Sequence, residues 1–337
     1  VKKILFVTKS CCVRVIKEAF ALINLGYELH LVSGVDPETN RQLFETIMLF
    51  DNSDSLARAI SFHKDIKLIH VHNEPSWMVS IAKGVRSDAK VIFDVHDSDY
   101  WRFGNDGQIW FEEDFASEAC DAYVFPSKTA MNAYPRIKNK PAIWLPSANS
   151  STEFRWGPWG YQGGIVSQGG HIMPDAFKVV PRRYHSKDFT ELYQGLAKEK
   201  TVYALCLEFE RNEELRRYYE NLGVITGWAD YEHLIEVMGS NDWVLNGNTN
   251  GAPIWDVALP NKFFDALSAG VPIANAHCPE VAKPINRYDV GINFENSKEL
   301  LARWDEHREK RINVFKNRGE LAMERFIPKL EKLYNSL

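Results

Sequence analysis

The chain has 337 residues, 45% of them hydrophobic and 25% charged, with a formal net charge of −5. Such a length suits two domains with sizeable cores, and the acidic balance argues against a general nucleic-acid binder. Five scattered cysteines (Cys11, Cys12, Cys120, Cys206, Cys278) lack metal-type spacing and point to reduced thiols rather than a disulfide framework.

No apolar run approaches the ~20 residues of a membrane span. The sequence opens directly in a strand with no signal peptide, so a cytoplasmic protein is expected. Lys3–Thr8 is the first short apolar run of the buried parallel-strand kind. A helical pattern through Val15, Ile16, Ala19, Leu22 and Ile23 ends at Gly26, and Leu29–Val32 is the next strand. The loop between, Thr8 to Val13, holds no glycine, which argues against nicotinamide or flavin binding.

Helices near 54–62, 77–83 and 112–119 precede strands at Leu68–His72, Lys90–His96 and Ala122–Phe125. Ser127 reads as a helix N-cap, and Ala142–Leu145 closes the series. This alternation predicts a doubly wound parallel sheet with helices on both faces. Ligands gather at the carboxyl ends of such strands. Two strands end there in polar clusters: His70, His72, Asn73 and Glu74, then His96, Asp97, Ser98 and Asp99. His70 and His72 share a face, but spacing fixes no third metal ligand, so no metal is expected. His96 and Asp97 are read as cleft residues, with His96 a hydrogen-bond donor or base; a strand-end histidine capped by its neighbours is the plainer alternative.

Residues 146–164 are polar and rich in turn formers, which reads as a linker. Gly163-Gly164 and Gly169-Gly170 flank Ile165-Val166 and leave room for close backbone approach, or are ordinary loop glycines. The second half repeats the scheme. Helices near 186–198, 212–221 and 231–238 lead to strands at 201–205, 223–225 and 242–245. In Leu259–Ala274 a helix starts near Asn261, stops at Gly270 and passes into a strand from Val271, with Phe263, Phe264 and Leu267 toward the core. Lys262 and Asp265 share a face near its N-terminus, where free N–H groups suit a phosphate and a carboxylate can hold a ribose diol. A surface Lys–Asp pair on an ordinary helix is the competing reading. A late strand at 290–293 precedes a helical tail from Ser297, for which a membrane-surface anchor stays open.

Two doubly wound halves, a linker, a long terminal helix and the run Pro260-x-Lys262-x-x-Asp265-x-x-Ser268-Ala269-Gly270-x-Pro272 resemble the GT-B glycosyltransferases. The likeness is to the family 4-like, group 1 type enzymes that use nucleotide-diphosphate sugars, and it covers nearly the whole chain. It implies an N-terminal acceptor-side domain (1–152), a donor-binding domain (153–315) and a helix (316–337) returning to the first. The resemblance further implies two Rossmann-like domains facing each other across a cleft. A sugar would pass from a UDP- or GDP-type donor to a carbohydrate or lipid-linked acceptor, with retention and without a metal or other cofactor.

In that reading Asp265 holds the ribose, while Lys262 and the N-terminal amides of its helix lie near the diphosphate, with Pro260 and Asn261 among the donor-binding residues. The backbone of the loop Ile225-Thr226-Gly227 meets the base. Arg183 and Lys187 neutralise the leaving group, and His96 reaches the transferred sugar. The family's Glu-x7-Glu is incomplete, since Val257 stands eight before Asp265 and Asp256 is one step off. Sugar contacts then fall to Asp256, Asn246, Asn248 or Asn250. A sugar-nucleotide epimerase of the same architecture and a non-catalytic nucleotide-sugar binder stay open as alternatives.

Overall fold

The computed structural model describes residues 2–72, 74–103, 110–137, 139–157, 162–171, 188–247 and 254–337. The chain forms two compact units: Val1–Ser150 with Met323–Leu337, and Ser151–Ala322.

The first unit is built on seven parallel strands: β1 (Lys2–Thr8), β2 (Tyr27–Ser33), β3 (Thr46–Leu49), β4 (Leu68–His72), β5 (Lys90–Asp94), β6 (Ala122–Phe125) and β7 (Ala142–Trp144). Their order in the sheet is β3-β2-β1-β4-β5-β6-β7, so the direction of winding reverses between β1 and β4. Ile4 to Val7 and Val91 to Phe93 are wholly buried, as expected of strands covered by helices on both faces. Ser127 does cap the helix Lys128–Ala133, accepting from the Ala130 N–H at 2.9 Å.

The helix Ile327–Ser336 belongs to this unit and buries Leu330, Leu333 and Tyr334. Met323 N–H donates to Asn149 O at 2.9 Å, and Ser150 Oγ donates to Glu324. Lys329 Nζ stands 3.4 Å from the centre of the Trp144 ring, a cation–π contact that seats the helix on β7.

The second unit has six parallel strands: β8 (Ile165–Gln168), β9 (Val202–Leu205), β10 (Val224–Gly227), β11 (Trp243–Gly247), β12 (Ile273–Ala276) and β13 (Gly291–Phe294). Their order is β10-β9-β8-β11-β12-β13, with the reversal between β8 and β11. Its core includes several large aromatic side chains, with Phe189, Tyr193, Phe209, Tyr219, Trp243 and Trp304 all buried. The polar ends of these rings are satisfied: Trp243 Nε1 donates to Trp304 O at 3.1 Å and Trp304 Nε1 to Asp242 Oδ2 at 3.0 Å.

Several elements differ from expectation. Strand β3 went unpredicted because it is a four-residue edge strand with no buried residue and no alternation to mark it. The segment 212–221 is preceded by a separate short helix, Leu207–Arg211, with Asn212 closing it and capping the next. The helix Pro279–Tyr288 carries Pro284 inside it, which in a sequence reads as a breaker. Strand β5 stops at Asp94, so His96 lies beyond the strand. Strand β12 starts at Ile273, because the Val271 N–H is still engaged with Ala266 O at 2.9 Å in closing the preceding helix. Among the described residues no helix is long and apolar enough to cross a membrane.

Candidate functional site

In the second unit the helix Asn261–Ala269 is fixed at both ends. Pro260 leads in with extended backbone, and Gly270 ends it in the left-handed region at φ 75°. A Cβ at Gly270 would lie 2.5 Å from Phe315 Cζ, so the site requires glycine twice over. The Arg318 guanidinium donates to Ser268 O at 3.1 Å and Leu267 O at 3.4 Å, matching a cation to the negative end of the helix dipole. Burial lowers Arg318 to about 10.

Lys262 and Asp265 do not form an exposed pair; they are 6% and 2% exposed. Lys262 Nζ donates to Gln168 O, the last residue of β8, at 2.8 Å, and its ammonium stands 5.6 Å from the centre of the Trp255 ring. Asp265 Oδ1 accepts from Tyr231 Oη at 3.0 Å. The ammonium is thereby held at the carboxyl end of β8, beside the switch point where ligands bind in open parallel sheets. Pro260 and Asn261 are half-buried at the helix entry.

Asn246, in β11, is fully buried and begins an amide ladder across three strand ends. Its Nδ2 donates to Asn275 Oδ1 at 2.8 Å, and Asn275 Nδ2 donates to Asn293 Oδ1 at 2.8 Å and to Cys278 O at 3.0 Å. Among the described residues Asn246 Oδ1 has no hydrogen-bond partner. Gly227 is the last residue of edge strand β10 rather than part of a loop, and its carbonyl accepts from Cys206 N–H at 2.8 Å. Asp256 is exposed on the short helix Ile254–Val257, whose Val257 is buried. Arg183, Lys187, Asn248 and Asn250 lie outside the described residues.

In the first unit His96 is half-buried beyond β5, and Asp97 is exposed beside it, with 3.8 Å from His96 Nε2 to Asp97 Oδ2. The carboxylate that orients His96 is one that sequence reading missed, Asp94, whose Oδ1 lies 3.4 Å from His96 Nδ1. The signal was available: Asp94 and His96 are two apart in extended chain and so share a face.

Around Asp94 the structure gathers Arg14, Glu18, His70 and His72, all buried. Arg14 Nε donates to Asp94 Oδ2 at 2.9 Å, Nη1 donates to Leu145 O at 2.8 Å, and Nη2 lies 3.0 Å from Glu18 Oε1. Burial alone would raise Asp94, but Arg14 and the three histidines hold it well below the usual carboxylate range. Burial pushes Glu18 well above that range and drives His72 down to about 3.

His96 moves the other way: burial would lower it, yet Asp94 and Cys12 together raise it well above the ordinary imidazole value. Cys12 Sγ lies 4.0 Å from His96 Nε2, and Cys12 is the N-cap of the helix Val13–Asn24. Burial opposes ionisation of this thiol; the His96 contact and the Val15 and Arg14 amides outweigh it and lower Cys12 below its ordinary value.

No family model matches the chain, and no curated protein matches it. Solved structures do. HepE from Anabaena, in complex with UDP and glucose, superposes with a TM-score of 0.75 at 14% identity, covering 100% of each chain. An alpha-glucosyltransferase in complex with UDP-glucose and DNA gives a TM-score of 0.69 at 10% identity over 99% of each chain. A putative UDP-N-acetylglucosamine 2-epimerase from Listeria monocytogenes gives 0.61 at 10% identity, covering 93% of this chain and 91% of that one. At such identities the likeness speaks for the fold: two Rossmann-like units of the GT-B type.

Proposed function

We propose that the chain is a glycosyltransferase that moves a sugar from a nucleotide-diphosphate sugar, of the UDP type, to a carbohydrate or lipid-linked acceptor. The observation that carries this reading is the Lys262–Asp265 helix. A buried ammonium at a strand's carboxyl end and a buried carboxylate one turn in are the two charges that a diphosphate and a ribose diol call for. HepE and the alpha-glucosyltransferase, similar along their whole lengths, bind UDP or UDP-glucose.

In this reading Asp265 accepts from the ribose hydroxyls, with Tyr231 orienting its carboxylate. Lys262 and the amides at the helix entry meet the diphosphate, helped by Arg183 and Lys187. Asn246, Asn248 and Asn250 contact the donor sugar, and Gly227 lies toward the base. Departure of the nucleotide leaves an oxocarbenium-like sugar and a growing diphosphate charge. Fixed cationic and N–H donors stabilise that charge, each worth ~2.7–4 kcal/mol at such sites, so the step needs no metal. His96, oriented by Asp94, hydrogen-bonds the transferred sugar, and Asp97 lies at the mouth of that site. Retention of anomeric configuration completes the proposal; an inverted product seen by NMR removes that part.

The test is thermal stabilisation by UDP, GDP, ADP, CMP and dTDP, with wild type beside Asp265→Ala. A ligand at a hundred times its Kd adds about 2.7 kcal/mol to the folded state. We expect a shift selective for UDP that the variant loses. No shift with any diphosphate rejects the reading. The putative epimerase likeness favours one alternative: UDP-sugar converted, with no acceptor present, to a sugar of inverted C2 configuration would support it instead.

A further inference from the structure

We propose a buried binding site for a divalent transition-metal ion of the zinc class in the first unit, formed by Glu18, His70, His72 and Asp94. The site involves none of the second-unit residues of the donor-binding reading, though Asp94 also faces His96. One donor atom from each of the four residues lies within 4.8 Å of the others, and all four side chains are buried. They come from the helix Val13–Asn24, from β4 and from the end of β5, so no sequence spacing announces them.

The distances say what kind of contact this is. His70 Nε2 and His72 Nδ1 stand 3.6 and 3.4 Å from Asp94 Oδ2. A ring N–H donating to a carboxylate would close to about 2.9 Å. A tetrahedral ion with bonds of ~2.0–2.2 Å separates its ligand atoms by roughly 3.3–3.6 Å. The two contacts have the length of a coordination edge, not of a hydrogen bond.

Asp94 Oδ2 is already engaged by Arg14, but among the described residues most of the other candidate donor atoms are not hydrogen-bonded. Among the described residues neither ring nitrogen of His72 has a hydrogen-bond partner, although the side chain is fully buried. His70 Nε2 and both Glu18 oxygens are likewise without one, while Arg14 Nη2 ion-pairs with Glu18 Oε1 and Asp94 Oδ1 faces His96 Nδ1 at 3.4 Å. Buried polar atoms in this number require a partner.

The outer contacts fit as well. His70 Nδ1 is 2.6 Å from Tyr334 Oη, which fixes the ring and leaves Nε2 to face Asp94. Arg14 donates to Asp94 Oδ2 at 2.9 Å. An ion here would tie the first helix to β4 and β5 and act on stability, and through Asp94 it would adjoin His96.

The experiment uses the full chain, stripped with a chelator and titrated with Co2+. We expect one equivalent to bind with the intense visible absorption of tetrahedral Co2+, to be displaced by Zn2+, and to raise the melting temperature. Tyr334→Phe should weaken Co2+ binding 10–100-fold while keeping the fold, since it removes only the outer contact to His70. Failure of the wild-type chain to develop the spectrum, with a melting temperature indifferent to Zn2+, overturns the proposal in favour of a proton shared between Glu18 and Asp94. Persistence of the spectrum in His72→Ala overturns it equally.

Discussion

Cys12 and His96 show how single side chains take their chemistry from their neighbours. Both stand at the carboxyl end of the first sheet, and Asp94 behind His96 keeps the imidazole charged, which in turn favours the thiolate of Cys12. Because the thiol titrates below its ordinary value, alkylation by iodoacetamide should reach its plateau at a lower pH than for an ordinary cysteine. The rate then rises little as pH climbs further. In His96→Gln the lowering contact is lost, burial dominates, and the rate profile should move to higher pH. Mass-spectrometric rates at Cys12 from pH 6 to 9 check this, and identical profiles in the two proteins would refute it. Cys11, its neighbour, is pushed up to about 12 by burial and serves as an internal control. The sequence displayed His96 and Cys12 but not their relation. Eighty-four positions separate them, and only strand order brings them together.

At the level of elements, the helix Asn261–Ala269 was legible almost in full, because its stop signal is local. Glycine at the left-handed position and apolar residues at helical spacing are both written in neighbouring letters. What the letters did not contain was its burial: Lys262 and Asp265 look like surface residues until β8 and Tyr231 are in place. Strand β3 and the helix Pro279–Tyr288 escaped for the reverse reason, since their local signals are weak or misleading and tertiary packing overrides them. Gly270→Ala tests the strongest local signal. Left-handed backbone and the clash with Phe315 should together cost ~2–4 kcal/mol in chemical denaturation. Adding Phe315→Leu should recover the packing part but not the backbone part. Full recovery in the double variant would show that φ contributes nothing.

Across the whole molecule, the two units have separate sheets and separate cores. The alternation of strands and helices made the doubly wound character of both readable, because each strand–helix–strand step is a local pattern. A fragment spanning 151–322 should therefore melt cooperatively by itself, followed through the fluorescence of buried Trp243 and Trp304; a featureless melt would refute its independence. A fragment ending at Ser150 should not melt cooperatively. It lacks Leu330, Leu333 and Tyr334, whose burial is worth roughly 5–8 kcal/mol together, comparable to the ~5–15 kcal/mol that holds a domain folded.

The placement of that last helix bears on how the molecule is made. Domains usually fold in the order in which they leave the ribosome, at about 5–20 residues per second. Here the unit begun first is completed last, since β7 and His70 receive their partners Lys329 and Tyr334 only after the whole of 151–322 has been synthesised. The first sheet must wait roughly 10–35 s with its Trp144 face uncovered. That interval is when a nascent chain of this protein has most need of a chaperone.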